Sequence, residues 1–85
     1  MPYRVLFTRR AERDFSTLPT RERERLARRI DALATDPRPK GVKKLVGPDA
    51  FYRLRAGDYR IIYTVEDNVV TVTVVRVGHR RDIYR

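Results

Sequence analysis

The fold is decided by residues 51–65, which read FYRLRAGDYRIIYTV. Apolar and polar residues alternate here with the period of a β-strand, and Gly57-Asp58 in the middle is typical of a tight turn. The segment therefore predicts a β-hairpin. Because side chains alternate across a strand, Arg53 and Arg55 are expected on one face, and Arg60 of the second strand is expected to join them.

Two further strands are predicted to complete the sheet. Tyr3–Phe7 is a short β-prone run near the start of the chain. The second strand of the hairpin is expected to end near Val65, with a turn over residues 66–68. Val69–Val77 then forms the last strand, which is apolar on nearly both faces, as expected in the interior of a sheet. Gly78 is expected to end it.

Two helices are predicted between the first strand and the hairpin. Thr8 offers a hydroxyl N-cap to the first helix, and Pro19 ends that helix. Thr20 is expected to cap the second helix, which spans about residues 21–35. Apolar residues recur along both helices at the spacing of a single stripe: Ala11, Phe15 and Leu18 in the first, and Leu26, Ile30 and Leu33 in the second.

A long basic loop over residues 36–49 follows the helices, with Leu45 as the residue expected to enter the core. The predicted order is therefore β-α-α-β-β-β, in a single domain over residues 1–85. This is an α+β fold in which a helical hairpin packs on one face of a small, mostly antiparallel sheet.

The charge of the chain is strongly positive, with 20 Lys+Arg against 11 Asp+Glu and a formal net charge of +9. Residues 1–50 hold 13 basic and 7 acidic residues, and residues 51–85 hold 7 and 4. A basic domain without a single basic block favours a polyanion bound by the folded surface. Arginine dominates, and its planar fork matches phosphate oxygens. An ordinary solvated, arginine-rich surface is the alternative interpretation of charge alone.

Several classes of protein are disfavoured by composition. Cysteine is absent, which excludes disulfides and thiolate metal sites and fits a reducing compartment. No apolar run approaches the ~20 residues of a membrane span, so a cytoplasmic protein without a membrane partner is expected. One histidine and scattered acids predict no metal site and no cofactor. The only serine, Ser16, falls inside a helix, which argues against a serine triad.

Groups that can move a proton lie at the end of the chain, where residues 78–85 read GHRRDIYR. Phosphodiester chemistry without a metal needs cations for the charge on phosphorus and groups that transfer protons. An imidazole serves this purpose at neutral pH, although a lone histidine such as His79 is more often a surface residue. Tyr84 is either an aromatic cap on the core or a general base whose phenolate nearby guanidinium groups stabilise.

Residues 52–63 and 77–84, in this order and spacing, resemble the RelE/ParE superfamily of toxins from bacterial toxin–antitoxin pairs. Thr8, Leu18-Pro19 and Lys44-Leu45 match as well, so the resemblance covers essentially the whole chain. It implies two helices on one face of the sheet and a RelB-like antitoxin as partner, which we expect to be acidic and partly disordered. In the RelE-like branch it implies cleavage of mRNA in the decoding site of the 30S ribosomal subunit, near its 16S RNA, where the mRNA 2′-hydroxyl attacks the adjacent phosphate.

Catalytic roles follow from the resemblance position by position. Arg60 would be the arginine that binds the phosphate, Arg80 the arginine after the last strand, and Tyr84 the tyrosine near the carboxyl end. His79 is added from its chemistry as a second candidate for proton transfer, because a guanidinium does not release its proton at neutral pH.

RNA-binding roles fall on basic residues around this group. Arg53 and Arg55 would occupy the paired basic positions of the hairpin's first strand. The turn that follows is shorter than in familiar members of the superfamily, so Lys43 and Lys44 could share that role. Arg81 is the fifth residue expected to bind RNA.

Two other functions remain open at this point. A ParE-like toxin shares the fold and the antitoxin but binds DNA gyrase and cuts no RNA. The other hypothesis is a basic nucleic-acid-binding or ribosome-binding module without activity. The basic sheet face and the tail over residues 78–84 favour the nuclease, because a gyrase-binding protein does not need them.

Overall fold

The computed structural model describes residues 2–45 and 50–81. The elements are β1 (Arg4–Phe7), α1 (Arg9–Ser16), α2 (Thr20–Ala32), β2 (Lys43–Lys44), β3 (Phe51–Ala56), β4 (Tyr59–Glu66) and β5 (Thr71–His79). A 3-10 turn over Asp67–Val69 joins β4 to β5. The predicted α+β class is confirmed, with one short strand, β2, added before the hairpin.

The strands form one sheet in the order β1-β5-β4-β3-β2. β1 runs parallel to β5, and the other neighbouring pairs are antiparallel, so the sheet is mostly antiparallel as predicted. β2 pairs only with Tyr52 and Arg53. A two-residue edge strand presents few free backbone groups to other chains.

The core lies between the helices and one face of the sheet. The predicted stripe of α2 is buried, with Leu26 at 0% and Ile30 at 2% exposure. Both belong to one buried cluster with Leu54, Ile61 and Tyr63 of the central strands. Burying a side chain of this size contributes roughly 1.5–3 kcal/mol, so this layer supplies most of the hydrophobic stabilisation that holds the helices on the sheet.

The helix ends differ in how they are capped. Thr8 caps α1 as predicted, because its side chain accepts a hydrogen bond from the Ala11 N–H. The prediction for Thr20 is wrong: Pro19 is the N-cap of α2, without a side-chain hydrogen bond, and Thr20 is already helical. α2 also ends at Ala32, three residues before the predicted end. The N–H groups of the next three residues bond to carbonyls three residues earlier, which tightens the chain into a turn.

The last strand is shifted by two residues from the prediction of 69–77. The 3-10 turn takes up the first of these residues, and Val70 then adopts φ 50° and ψ 50°. This left-handed conformation is rare for a β-branched residue, so sequence preference argues against a turn here. As a result Gly78, predicted to end the strand, lies within β5.

The loop between α2 and β3 is anchored differently from the prediction. Val42 packs against the core, whereas Leu45 joins the edge of the sheet through its N–H, which donates to the carbonyl of Phe51 at 2.8 Å. None of the helices in the described part of the chain is long and apolar enough to cross a membrane.

Arg38 ties this loop to the turn between β4 and β5. Its guanidinium donates to both carboxylate oxygens of Asp67 at 3.1 and 2.8 Å and, through Nε, to the Tyr52 hydroxyl at 3.0 Å. Tyr3 donates to the same carboxylate at 2.7 Å. Arg38 and then Tyr3 hold the pKa of Asp67 below its usual value. The Tyr63 hydroxyl adds a bond to the carbonyl of Pro37 at 2.7 Å.

Replacing Leu26 by alanine tests the core. Leu26 is fully buried, so Leu26→Ala leaves a cavity and is expected to lower the free energy of unfolding by about 2–5 kcal/mol. Arg28→Ala, an exposed change on the same helix, should alter it by no more than about 0.5 kcal/mol. Chemical denaturation measures both. Equal losses would show that α2 does not pack as described.

Burial raises the pKa of Tyr63 to about 12, which predicts a loss of stability at high pH. Below pH 10 the hydroxyl is protonated in both the folded and the unfolded chain. Between pH 10 and about 12 only the unfolded chain ionises, so this contribution is lost as pH rises through that window. A pKa difference of two units corresponds to a loss of about 3 kcal/mol in the free energy of unfolding. Unfolding of Tyr63→Phe should lack this part of the pH dependence, and a slope equal to wild type would contradict it.

Candidate functional site

The register of the hairpin brings the predicted arginines to one face. Arg55 lies opposite Arg60, and Arg53 lies opposite Ile62. Lys43 of β2 lies opposite Arg53. Cross-strand partners point to the same side of a sheet, and the neighbouring positions on these strands are buried against the helices. The basic face, which we define as Lys43, Arg53, Arg55 and Arg60, therefore lies on the side of the sheet away from the helices.

The basic face is partly apolar and partly enclosed. Ile62 lies within it and is only 8% exposed. Arg53 and Arg60 are half-buried, whereas Lys43 and Arg55 are exposed. Charges beside buried apolar atoms are screened less than charges in water. An anion that reaches this face would therefore be held more strongly than by arginines on an open surface.

Lys44 does not join this face. It lies opposite Tyr52, whose ring stacks on the core residue Tyr63 at 5.7 Å between centroids. Lys44 therefore lies on the other face from Lys43, since neighbouring residues of a strand point to opposite sides, and its role in binding RNA stays a prediction. Only Lys43 has the register of the basic face.

His79 also lies on the other side of the sheet. It is paired with Tyr59 in register, and the two rings meet edge to face at 5.6 Å. Tyr59 packs against the core, so the imidazole lies on the helix side of the sheet and not on the basic face. The register shift between Ile62 and Tyr63 is the reason. Val75 has no partner in β4 there, so the side chains that follow it in β5 exchange faces, and Gly78 comes to lie opposite Arg60.

The imidazole of His79 has one nitrogen engaged. Its Nδ1 accepts a hydrogen bond from the backbone N–H of Arg81 at 3.2 Å. A nitrogen that accepts carries no proton, so the proton of the neutral ring is on Nε2. His79 therefore presents a donor at the end of β5.

The remaining predicted residues, Arg80, Arg81 and Tyr84, follow β5 in the sequence. The Arg80 N–H donates to the carbonyl of Asp58 at 2.9 Å, which ties the end of β5 to the hairpin turn. The side chains of Arg80 and Arg81 are exposed. Tyr84 lies outside the described residues, so its role stays a prediction.

Arg76 is a basic residue that sequence reasoning missed. It lies opposite Ile62, beside the basic face, but its Nε donates to Asp14 of α1 at 2.8 Å. The same carboxylate oxygen accepts from the Val77 N–H at 3.1 Å, beyond the point where β1 stops pairing with β5. No local sequence signal links a helix carboxylate to a strand 62 residues away. Asp14 thus accepts a hydrogen bond from the backbone N–H at this edge of β5 and compensates the charge of Arg76.

The sequence matches a family model. Residues 5–84 match the ParE toxin of type II toxin–antitoxin systems, a range that includes the basic face and both candidates for proton transfer. The chain belongs to the RelE/ParE family of toxins.

Known members of the family are similar over most of their length. Toxin RelG of Mycobacterium tuberculosis is 37% identical, over 100% of this chain and 99% of RelG. The mRNA interferase toxin RelE of Escherichia coli K12 is 33% identical, over 94% of this chain and 85% of RelE. The archaeal RelE–RelB complex from Pyrococcus horikoshii matches with a TM-score of 0.83 and 31% identity, over 96% of this chain and 99% of that one.

The exposed position of Arg55 allows binding to be tested apart from stability. If its guanidinium contacts a phosphate, Arg55→Ala should reduce the slope of log affinity for single-stranded RNA against log salt by about 0.7. Its free energy of unfolding should change by no more than about 0.5 kcal/mol, since removing Arg55 also relieves repulsion from Arg60. Fluorescence anisotropy over a salt series measures the slope. An unchanged slope would remove Arg55 from the binding surface.

Proposed function

We propose that this chain is the toxin of a type II toxin–antitoxin pair and cleaves messenger RNA on the ribosome. The observation that carries the proposal is the register that aligns Arg53, Arg55 and Arg60 on one face. The family supports it, because the relative from E. coli is named an mRNA interferase toxin. An arginine cluster beside an apolar centre suits a phosphate whose charge increases during reaction.

The proposed reaction needs no metal ion. The 2′-oxygen of the mRNA bonds to the adjacent phosphorus, and the bond from phosphorus to the 5′-oxygen breaks. A base removes the proton of the 2′-hydroxyl, and an acid gives a proton to the leaving 5′-oxygen. Arg60 and Arg55 stabilise the additional negative charge on the phosphorane, and Arg53 with Lys43 holds the flanking phosphates.

Proton transfer is assigned to the end of the chain. Tyr84 is the proposed base, with Arg80 and Arg81 close in sequence to favour its phenolate. His79 presents an Nε2 donor but on the opposite side of the sheet, so it reaches the 5′-oxygen only if the RNA bends round the end of β5. A ribosomal group is the alternative acid, which is one reason for proposing that cleavage depends on the ribosome.

The proposed protein partner is a RelB-like antitoxin encoded with this chain. Support comes from the P. horikoshii structure, which is a complex of RelE with RelB, and from the net charge of +9, which favours an acidic partner. An antitoxin that covers the basic face would exclude RNA from it directly.

A gyrase inhibitor is the second candidate, and one observation favours it: the family model that matches is that of the ParE toxin. Such a protein shares the fold and the antitoxin but does not cleave RNA. Inducing the chain in growing cells and mapping mRNA ends separates the candidates. Cuts inside translated codons support the nuclease, whereas intact mRNA with blocked DNA supercoiling supports the gyrase inhibitor. No effect on growth would contradict both.

Arg60→Ala is the sharpest test of the proposed mechanism. Losing one preorganised charge contact in the transition state is expected to reduce the cleavage rate on programmed ribosomes by about 10²-fold or more. Arg28→Ala, which removes the same charge from the exposed side of α2, should retain most activity. A 2′-deoxy nucleotide before the scissile phosphate should block cleavage entirely. Cleavage of the deoxy substrate would overturn attack by the 2′-hydroxyl, and full activity of Arg60→Ala would overturn the role of Arg60.

A further inference from the structure

The Gly57–Asp58 turn connects the two strands that carry Arg55 and Arg60, and it lies directly against α2. Gly57 has φ +64°, and a Cβ added there would lie 2.7 Å from Nη2 and 3.0 Å from Nη1 of Arg25. The left-handed backbone favours glycine here, and a side chain at this position would push the guanidinium of Arg25 aside. The turn and Arg25 form one contact.

Arginines of α2 also hold the backbone at the end of β3. Arg25 Nη2 donates to the carbonyl of Ala56 at 3.1 Å, and Arg29 Nη2 donates to the carbonyl of Arg55 at 3.2 Å. Glu22 orients the first of these guanidinium groups, since its Oε2 accepts from Arg25 Nη2 at 2.7 Å. Two successive carbonyls beside the turn are thus bound by charged donors from the helix layer.

The end of β5 is tied to the same turn from its other strand. The Arg80 N–H binds the carbonyl of Asp58, and the His79 ring rests against Tyr59, the first residue of β4. Arg55, Arg60, His79 and Arg80 therefore all depend on the position of one two-residue turn.

The contacts from α2 lie where two arginines face each other across the hairpin. Arg55 and Arg60 are directly opposite each other, and like charges at such positions repel. β2 pairs with Tyr52 and Arg53 and does not extend beside the end of β3. The contacts from α2 therefore add to the β3–β4 pairing in holding the two guanidinium groups at a set distance.

We propose that Arg25, oriented by Glu22, is a positioning residue for RNA cleavage: it fixes the turn and so sets the distance between Arg55 and Arg60. This inference rests on the proposed nuclease function. Arg25 itself does not touch the RNA. Its loss should reduce the rate at saturating substrate, because the arginines no longer match the transition state, and should leave RNA affinity nearly unchanged.

The test compares Arg25→Ala, Arg25→Lys and Arg28→Ala, the last being an exposed arginine of the same helix. Arg25→Ala is expected to reduce the cleavage rate on saturated programmed ribosomes by about 10²-fold, the effect of misplacing catalytic groups by about 1 Å. Its RNA affinity should match that of Arg28→Ala, which loses the same charge. Both bonds of Arg25 come from one nitrogen, Nη2. A lysine ammonium has three donors and can make them too, so Arg25→Lys should recover much of the rate that Arg25→Ala loses.

Two outcomes would overturn the proposal. If Arg25→Ala and Arg28→Ala lose the same rate, Arg25 contributes only charge. If Arg25→Lys recovers none of the rate lost in Arg25→Ala, the hydrogen bonds to Glu22 and Ala56 are not what fixes the turn. Gly57→Ala provides a second check, because its methyl group displaces Arg25: adding Arg25→Ala to Gly57→Ala should cause little further loss, since both changes break one contact.

Hydrogen exchange keeps this inference separate from the proposed function. In Arg25→Ala, the amides of Tyr59 and Arg80 at the turn should exchange at least tenfold faster than in wild type, while those of α1 stay protected. Unchanged exchange at the turn would overturn the positioning role even if wild type cleaves RNA. Faster exchange at the turn in a protein that cuts no mRNA would support the contact between Arg25 and the turn, and would contradict the nuclease function.

Discussion

The antiparallel register of β3 and β4 is the constraint on which the rest of the structure depends. A two-residue turn at Gly57–Asp58 sets this register, and it brings Arg55 opposite Arg60 while Leu54 and Ile61 face the helices. A slip of one residue would exchange the two faces, burying guanidinium groups and exposing the core. Hydrophobic burial and the basic face are therefore specified by the same pairing, and neither can change alone.

Several arginines of this chain bind other parts of the protein, whereas others lie at its surface. Arg25, Arg29, Arg38 and Arg76 bind carbonyls or carboxylates of the protein itself. They tie together elements that are distant in sequence, such as α2 with the hairpin and α1 with β5. Arg55, in contrast, is exposed. The net charge alone therefore overstates the surface available to a polyanion, and the basic face is identified by its register.

Opposite ends of the hairpin are held by different chemistry. At the turn, α2 supplies charged donors to backbone carbonyls, in support of the predicted site. At the other end, Arg38 joins Asp67, Tyr52 and, through the shared carboxylate, Tyr3. Exposed ion pairs contribute little when isolated, but here the bidentate pair lies in a network with aromatic hydroxyls. The two strands that carry the basic face are thus fixed at both ends.

The sequence by itself determined the local elements and the sidedness of the hairpin. Strand alternation identified the face of Arg53, Arg55 and Arg60, and the helical stripe identified Leu26 and Ile30 as core, because these periodicities are properties of neighbouring residues. The order and spacing of motifs also identified the toxin family.

Only the tertiary structure decided the position of the last strand and what each isolated polar group binds. The run of valines is compatible with more than one register, and the shift between Ile62 and Tyr63 placed His79 beside Tyr59 on the helix side. Asp14 with Arg76, and Arg25 with the Gly57 turn, are likewise invisible to local pattern. These contacts join residues that are far apart in the chain, and they form only because the packing of helices on the sheet brings those residues together.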